Sequence, residues 1–277
     1  MPDDSTVPVI LGSRSPRRRE LLAHLVPQER IHVCSPQSAD EAGFEDLQTR
    51  DEFDQRIVEI ARTKLDDVLS QLETAGERES WWPDSGKLLV LTGDTTVVAT
   101  APDGRPVSLG QPPENNLEQT VRLWFCDYFA GKTHEVLSGV CVARTSIEGG
   151  RLNRQNLKVL TRVCSTKVTM RKDADTLLDW YLTTGESRCK AGGYAIQGAA
   201  SVFVKQVEGS LSNVVGLPLE ETLTMLGELE ENDGSPAACE DEQISESDSA
   251  ASAQAIRYHD QNISKSRRTG SPPTRPD

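Results

Sequence analysis

Several things are missing from this chain, and each absence closes a class of function. The six cysteines, Cys34, Cys126, Cys141, Cys164, Cys189 and Cys239, form no Cys-x-x-Cys pair and no metal-finger spacing. Free thiols in a reducing compartment are the expectation. The four histidines are scattered, which argues against a histidine-based zinc centre. No run approaches the roughly 18 apolar residues of a membrane span, and no cleavable apolar leader is evident, so a soluble cytoplasmic protein is expected. Positive charge is also scarce: 30 Lys and Arg stand against 43 Asp and Glu, a formal charge of -13. Such a balance argues against a general binder of nucleic acid or lipid surfaces, which carries a basic face. At 277 residues the chain has room for one large domain or two small ones.

Against that acidic background, one basic turn stands out. The run Val7 to Leu11 reads as a buried strand, followed by Gly12-Ser13-Arg14-Ser15-Pro16-Arg17-Arg18-Arg19. Ser15 sits where a helix N-cap belongs and Pro16 at the first helical position, with Leu21, Leu22 and Leu25 on one face beyond. Unpaired N–H groups and the positive end of the helix dipole meet four arginines there, which makes a candidate phosphate cradle. The competing reading is a capped surface helix with solvated arginines.

Ordered patterning extends from about Val7 to Glu228. Phe53, Ile57, Ile60, Ala61, Val68, Leu69 and Leu72 recur at helical spacing. Further helices are expected around Leu117 to Tyr128, Leu177 to Tyr181 and Leu219 to Leu229. Strands are expected at Ile31 to Cys34, Leu88 to Leu91, Thr95 to Ala99, Val136 to Ala143 and Leu157 to Met170. Interleaved strands and helices give an α/β class with mixed pairing. Glu73 to Lys87 and Thr145 to Asn156 read as surface insertions. The boundary falls at residues 1–228 against a tail, 229–277. Between Glu230 and Asp248 stand eight carboxylates and no Lys or Arg, and the last stretch is basic and Pro-rich. With so few apolar residues that tail is expected to be disordered.

Three further patches carry polar chemistry: Ala39-Asp40-Glu41-Ala42, Gly93-Asp94-Thr95, and Gly185-Glu186 through Lys190-Ala191-Gly192-Gly193-Tyr194-Ala195-Ile196-Gln197-Gly198. Together with Ser13-x-Ser15-Pro16-Arg17-Arg18-x-Glu20-Leu21-Leu22, Ala61-x-x-Lys64, Gly131-x-x-His134-x-Val136 and Val215-Gly216-Leu217-Pro218-Leu219, they fall in one order over about residues 7 to 228. That order resembles the Maf (septum-formation protein) family of nucleoside triphosphate pyrophosphatases. The resemblance implies an elongated mixed sheet with flanking helices and a central nucleotide cleft, as in Maf and inosine triphosphate pyrophosphatases, and often a homodimer.

It also implies a reaction, in which water attacks the α-phosphorus of a nucleoside triphosphate and pyrophosphate leaves. A divalent cation, Mg²⁺ or Mn²⁺, bridges phosphates and carboxylates in such chemistry. Ser13, Arg14, Arg17, Arg18 and Lys64 suit the triphosphate. Glu41 and Asp94 are the candidate metal carboxylates, and Asp94 matches the family's proton acceptor. Read without the resemblance, Asp94 is a turn-forming residue and Glu41 part of a solvated acidic loop. The positions matching Arg17, Thr95 and Gln197 bear on base choice, and the Gln197 amide both donates and accepts, as a pyrimidine edge requires. Ser-Pro-Arg-Arg, Asp-Thr and the Ile-Gln-Gly loop match the dTTP/UTP subgroup rather than the 7-methyl-GTP subgroup.

One position departs from the family. Gly110-Gln111-Pro112 stands where Gly-Lys-Pro is usual, so a neutral amide replaces a cation near the phosphates. Losing one charge-assisted contact costs ~1.5–3 kcal/mol, and Lys190 or Lys132 could compensate. Two alternatives therefore stand beside the dTTP/UTP pyrophosphatase: a 7-methyl-GTP pyrophosphatase, and a nucleotide-binding sensor with weakened catalysis. Cys189, beside Lys190, is either a redox-sensitive thiol or a packed cysteine.

Overall fold

The computed structural model describes residues 7–37, 42–74 and 81–231. Its centre is a seven-stranded mixed sheet in the order β2-β1-β3-β5-β6-β7, with β4 also on β3. The strands are β1 (Val9–Gly12), β2 (Ile31–Val33), β3 (Gly86–Thr100), β4 (Pro106–Leu109), β5 (Thr133–Glu148), β6 (Arg151–Met170) and β7 (Val204–Glu208). The helices are α1 (Pro16–Leu22), α2 (Arg50–Thr74), α3 (Leu117–Trp124), α4 (Leu178–Thr183), α5 (Leu211–Val215) and α6 (Leu219–Glu231). The α/β class with mixed pairing is therefore observed.

β3 organises the sheet because its two faces carry different layers. Leu88 and Val90 pack under α2 with Ala61, Leu65, Val68 and Leu69. Leu89 and Leu91 point the other way, against Leu22 of α1 and Met225, Leu226 and Leu229 of α6. This alternation follows from the two-residue period of a strand. A third cluster closes the far end, where Phe125 meets Phe129 and Phe203 at ring separations of 5.3 and 5.0 Å. In that end α3 widens into a π-turn at Phe125–Phe129, so the helix expected to run to Tyr128 changes its winding at Trp124.

Helix α2 starts in a way its sequence encodes. Thr49 and Glu52 form a capping box: Glu52 N donates to Thr49 Oγ1, and Gln48 N and Thr49 N donate to the Glu52 carboxylate. Those two amides hold the Glu52 carboxyl below the usual carboxylate range. Its apolar stripe, Phe53, Ile57, Ile60, Ala61, Val68, Leu69 and Leu72, is buried as expected. α1 starts as expected too, with Ser15 accepting from Arg18 N and Pro16 at the first position. It ends at Leu22, so Leu25 reaches the same core from the following turn.

Other expectations change. Leu88 to Leu91 and Thr95 to Ala99 are one strand, unbroken through Gly93-Asp94. Thr145 to Asn156 is no insertion: β5 and β6 run through it as a long hairpin, turned at Gly149 and Gly150, both at positive φ. β5 here pairs with β3 on its other edge as far as Ile147, and most of the polar residues stand at exposed positions beyond Thr145. Glu73 to Lys87 is likewise divided, since Glu73 and Thr74 end α2 and Gly86 and Lys87 begin β3. Between them Trp81 stacks on His32 at 3.8 Å, and Trp82 Nε1 donates to Gly150 O. β4, β7 and α5 were not foreseen. α6 reaches Glu231, and the rest of the tail, 232–277, lies outside the described residues. No described helix is long and apolar enough to cross a membrane.

Two core positions generate predictions. A Cβ on Gly139 of β5 would lie 2.4 Å from Ile57 O, so glycine here sets how closely α2 approaches the sheet. Gly139→Ala is expected to lower stability by about 1–3 kcal/mol through forced separation; a denaturation midpoint unchanged from wild type would refute this. His134 is 2% exposed, with Nε2 2.8 Å from Tyr194 Oη and no partner at Nδ1 among the described residues. Burial lowers its pKa to about 3. The unfolded chain thus binds a proton that the fold rejects, so stability is kept above about pH 6.5 and lost as pH falls toward 3. Urea unfolding from pH 7 to 4 is expected to show a shallower acid decline in His134→Gln; parallel profiles would count against it.

Candidate functional site

The site exists because one edge of β3 is interrupted. β1 pairs in parallel with the first half of β3, ending at Gly12 opposite Thr92. β4 pairs antiparallel with the second half, ending at Leu109 opposite Val97. On the other edge β5 pairs with β3 continuously from Gly86 to Val98. Gly93, Asp94, Thr95 and Thr96 are therefore strand-paired on one side only, among the described residues. Both flanking strands end at this gap, and the turns leaving them border it. A cleft at strand ends where the sheet changes direction is the usual ligand position in α/β folds.

The cleft over the gap has a volume of about 1090 Å³. Its floor is Asp94 to Val97, one wall is the Gly12–Arg18 turn, and the opposite wall is the stretch from Arg188 to Gln197. Ser13, Arg14, Arg17, Arg18, Lys64, Asp94, Thr95 and Gln197 all line it, and so does Gln111. Arg19 and Lys132 are not among its lining residues, and Lys132 Nζ instead donates to Asp127 O. Asp40 and Glu41 lie outside the described residues. Glu45 lines the cleft and was not singled out from sequence, because it sits in a run of acids with nothing to distinguish it.

Asp94 and Thr95 point to opposite faces of the sheet, yet both reach the cleft through the open edge. On the α2 face, Lys64 Nζ donates to Asp94 Oδ1 at 2.8 Å, an ion pair whose side chains are 13% and 21% exposed. Close to it, Thr92 Oγ1 donates to Ala61 O at 2.7 Å and fixes α2 on the strand. On the other face Thr95 Oγ1 lies 2.8 Å from Ser138 Oγ and accepts from Arg18 Nη2 at 3.3 Å. Arg18 is buried and reaches further: Nη1 donates to Ser13 Oγ at 2.6 Å and Nε to Gly216 O at 2.9 Å. It joins the first turn, the floor and the end of α5. It braces the walls, whereas Arg14 and Arg17 stand nearer the mouth.

The far wall is a glycine-rich loop tied down at several points. Gly192 and Gly193 adopt φ of 69° and 65°, a conformation costly for other residues. Gly192 N donates to Gly110 O at 3.0 Å, joining the loop to the exit of β4 beside Gln111. Tyr181 Oη donates to Gly193 O, and Tyr194 rests on His134. Lys190 Nζ donates to the carbonyls of Glu186 and Arg188. Its ammonium pKa is lowered, first by burial and then by the charge of Arg17 across the cleft. Cys189 is exposed at φ 55° and lines the cleft. Burial pushes the Cys141 and Cys164 thiols up to about 12, so both are inert packing groups.

The Maf-like protein family matches residues 8–229. A dTTP/UTP pyrophosphatase of Anaeromyxobacter dehalogenans (strain 2CP-1) is 37% identical over 220 residues, 79% of this chain and 92% of that protein. A dTTP/UTP pyrophosphatase of Pyrococcus horikoshii is 33% identical over 221 residues, 79% of this chain and 96% of that protein. Among solved structures, a HAM1 protein from Coxiella burnetii aligns with a TM-score of 0.39 and 14% identity over 80% of this chain and 99% of its own, a likeness too slight to carry an argument. The family match takes in the whole sheet, the floor of the cleft and both of its walls, and the chain belongs to the Maf family.

Proposed function

We propose that this protein hydrolyses dTTP and UTP to the monophosphate and pyrophosphate, clearing nucleotides from the cytoplasmic pool. The observation that carries the reading is the floor of the cleft: a carboxylate, Asp94, paired with Lys64 and set between cationic walls. Arg14 and Arg17 receive the polyphosphate at the mouth, where guanidinium forks match phosphate oxygens. Asp94 takes the proton from a water directed at the α-phosphorus, and Lys64 holds that carboxylate in place. As pyrophosphate departs, the same arginines meet the charge that develops on it. Gln197, on the far wall, reads the base. The curated relatives bearing the dTTP/UTP name support this choice over 7-methyl-GTP.

Hard oxygen donors suit a divalent cation here. Mg²⁺ is commonly held by one or two carboxylates plus substrate phosphates, so it needs no all-protein cage. Among the described residues no group of three or more His, Cys, Asp or Glu forms such a cage. Asp94 and Glu45 are the described carboxylates that would hold Mg²⁺ or Mn²⁺, and the resemblance makes Glu41 a further candidate. Bound there, the ion would neutralise phosphate charge. Gln111 does not strip the cleft of cations, because Arg17, Arg105, Arg188 and Lys190 line it too; an active enzyme is thus favoured over a sensor.

The test is pyrophosphate release from dTTP, UTP, CTP, GTP and 7-methyl-GTP with Mg²⁺ or Mn²⁺. Turnover is expected on dTTP and UTP and should fall about a thousandfold in Asp94→Asn with binding retained. Equal turnover in that variant would remove Asp94 from the mechanism. Preference for 7-methyl-GTP would overturn the base assignment, and binding without turnover would establish the sensor.

A further inference from the structure

The Gln197 loop is held from behind by a carboxylate that does not line the cleft. Glu186 precedes the loop in sequence and sits under its far end. Ala199 N donates to Glu186 Oε1 at 2.9 Å and Ala200 N to Oε2 at 3.0 Å. Both oxygens are thus engaged by the two amides that open the short helical turn Ala199–Phe203. A carboxylate at such a start satisfies donors that otherwise have no acceptor.

Gly198 completes the arrangement. A Cβ at this position would lie 1.6 Å from Glu186 Oε1. The glycine therefore admits the carboxylate to the backbone immediately after Gln197. On its other side the Glu186 main chain is anchored as well, since its carbonyl accepts from Lys190 Nζ at 2.7 Å. Tyr181 packs nearby, and the charge of Glu186, after burial, raises its phenol pKa. Glu186 thus holds both ends of the stretch from Lys190 to Ala200, the first through its carbonyl and the second through its carboxylate.

From this geometry we infer that Glu186 is a positioning residue for base selection: its bidentate grip on Ala199 and Ala200 fixes where the Gln197 amide meets the base. The inference rests on the pyrimidine triphosphate reading of the cleft. A loose loop would still admit polyphosphate, because Arg14, Arg17 and Lys64 sit on other elements. It would lose the fixed placement by which one amide accepts some bases and rejects others, since a polar group discriminates between bases only when its position is set.

Two variants test this by independent routes. Glu186→Gln keeps the shape but replaces one acceptor oxygen by an NH₂ that faces a backbone donor. Gly198→Ala leaves Glu186 in the chain and displaces its carboxylate, the flexible end of a side chain. For both, kcat and KM are measured on dTTP, UTP, CTP and GTP, with thermal melting to confirm folding. The preference in kcat/KM for dTTP and UTP is expected to narrow about tenfold, chiefly through KM, with kcat on UTP within about twofold of wild type. The double variant should be no less selective than either single one, because both remove the same contact. A selective wild type whose selectivity survives in both folded variants would overturn the inference alone. A wild type that hydrolyses all four alike would overturn the pyrimidine reading and this inference with it.

Discussion

Four residues of β3, Gly93 to Thr96, lie along a strand edge that neither β1 nor β4 covers. A strand within a sheet normally satisfies its backbone on both edges and directs side chains only up and down. Here the second edge is left to the cleft, so groups from both faces become neighbours around one opening. Asp94 brings α2 and Lys64 from one side, and Thr95 brings Arg18 and Ser138 from the other. The interruption has support elsewhere. β5 pairs through the gap without a break, and Gly139, opposite Asp94, lets α2 press close beneath it. A continuous partner on one edge is what permits an absent partner on the other.

Much of this was legible in the residues, for reasons that differ by element. The α2 stripe and the Ser15-Pro16 start are local signals, and local physics decides them. The interruption of β3 was not legible, because Leu88 to Ala99 carries the same pattern whether it is paired on one edge or two. β4 is four residues long and β7 five, too short for alternation to stand out. The hairpin tip was misread because an exposed ribbon and a polar insertion share a composition; Gly149-Gly150 was the turn signal available. Thr49-x-x-Glu52 was likewise present as a capping box and went unread. Arg18 illustrates a different limit. Its residue type suggested a phosphate ligand, but it is buried and donates to Ser13, Thr95 and Gly216, the last nearly two hundred positions away.

Part of the positive charge of the cleft is held differently from that of the surface. Surface arginines pair with carboxylates, as Arg122 with Asp179 and Arg154 with Glu73. In the cleft, Lys64, Arg105 and Arg188 pair with carboxylates as well, but Arg14 Nη2 donates to Pro36 O, Arg18 Nε to Gly216 O, and Lys190 Nζ to the carbonyls of Glu186 and Arg188. A carbonyl fixes a cation in direction but leaves its charge uncancelled, whereas a carboxylate does both. An acidic chain thereby keeps a local positive field, which a low-dielectric wall focuses on the opening. Burial first, and then the charge of Arg17, lowers the Lys190 ammonium pKa, so like charge gathered in this wall carries a cost. On the proposed reading, a bound polyphosphate would relieve that repulsion and would meet several cations from separate elements rather than one. This is why a single neutral residue, Gln111, is compatible with the site: the attraction is a sum over the walls, and the loss of one member changes its size without changing its sign.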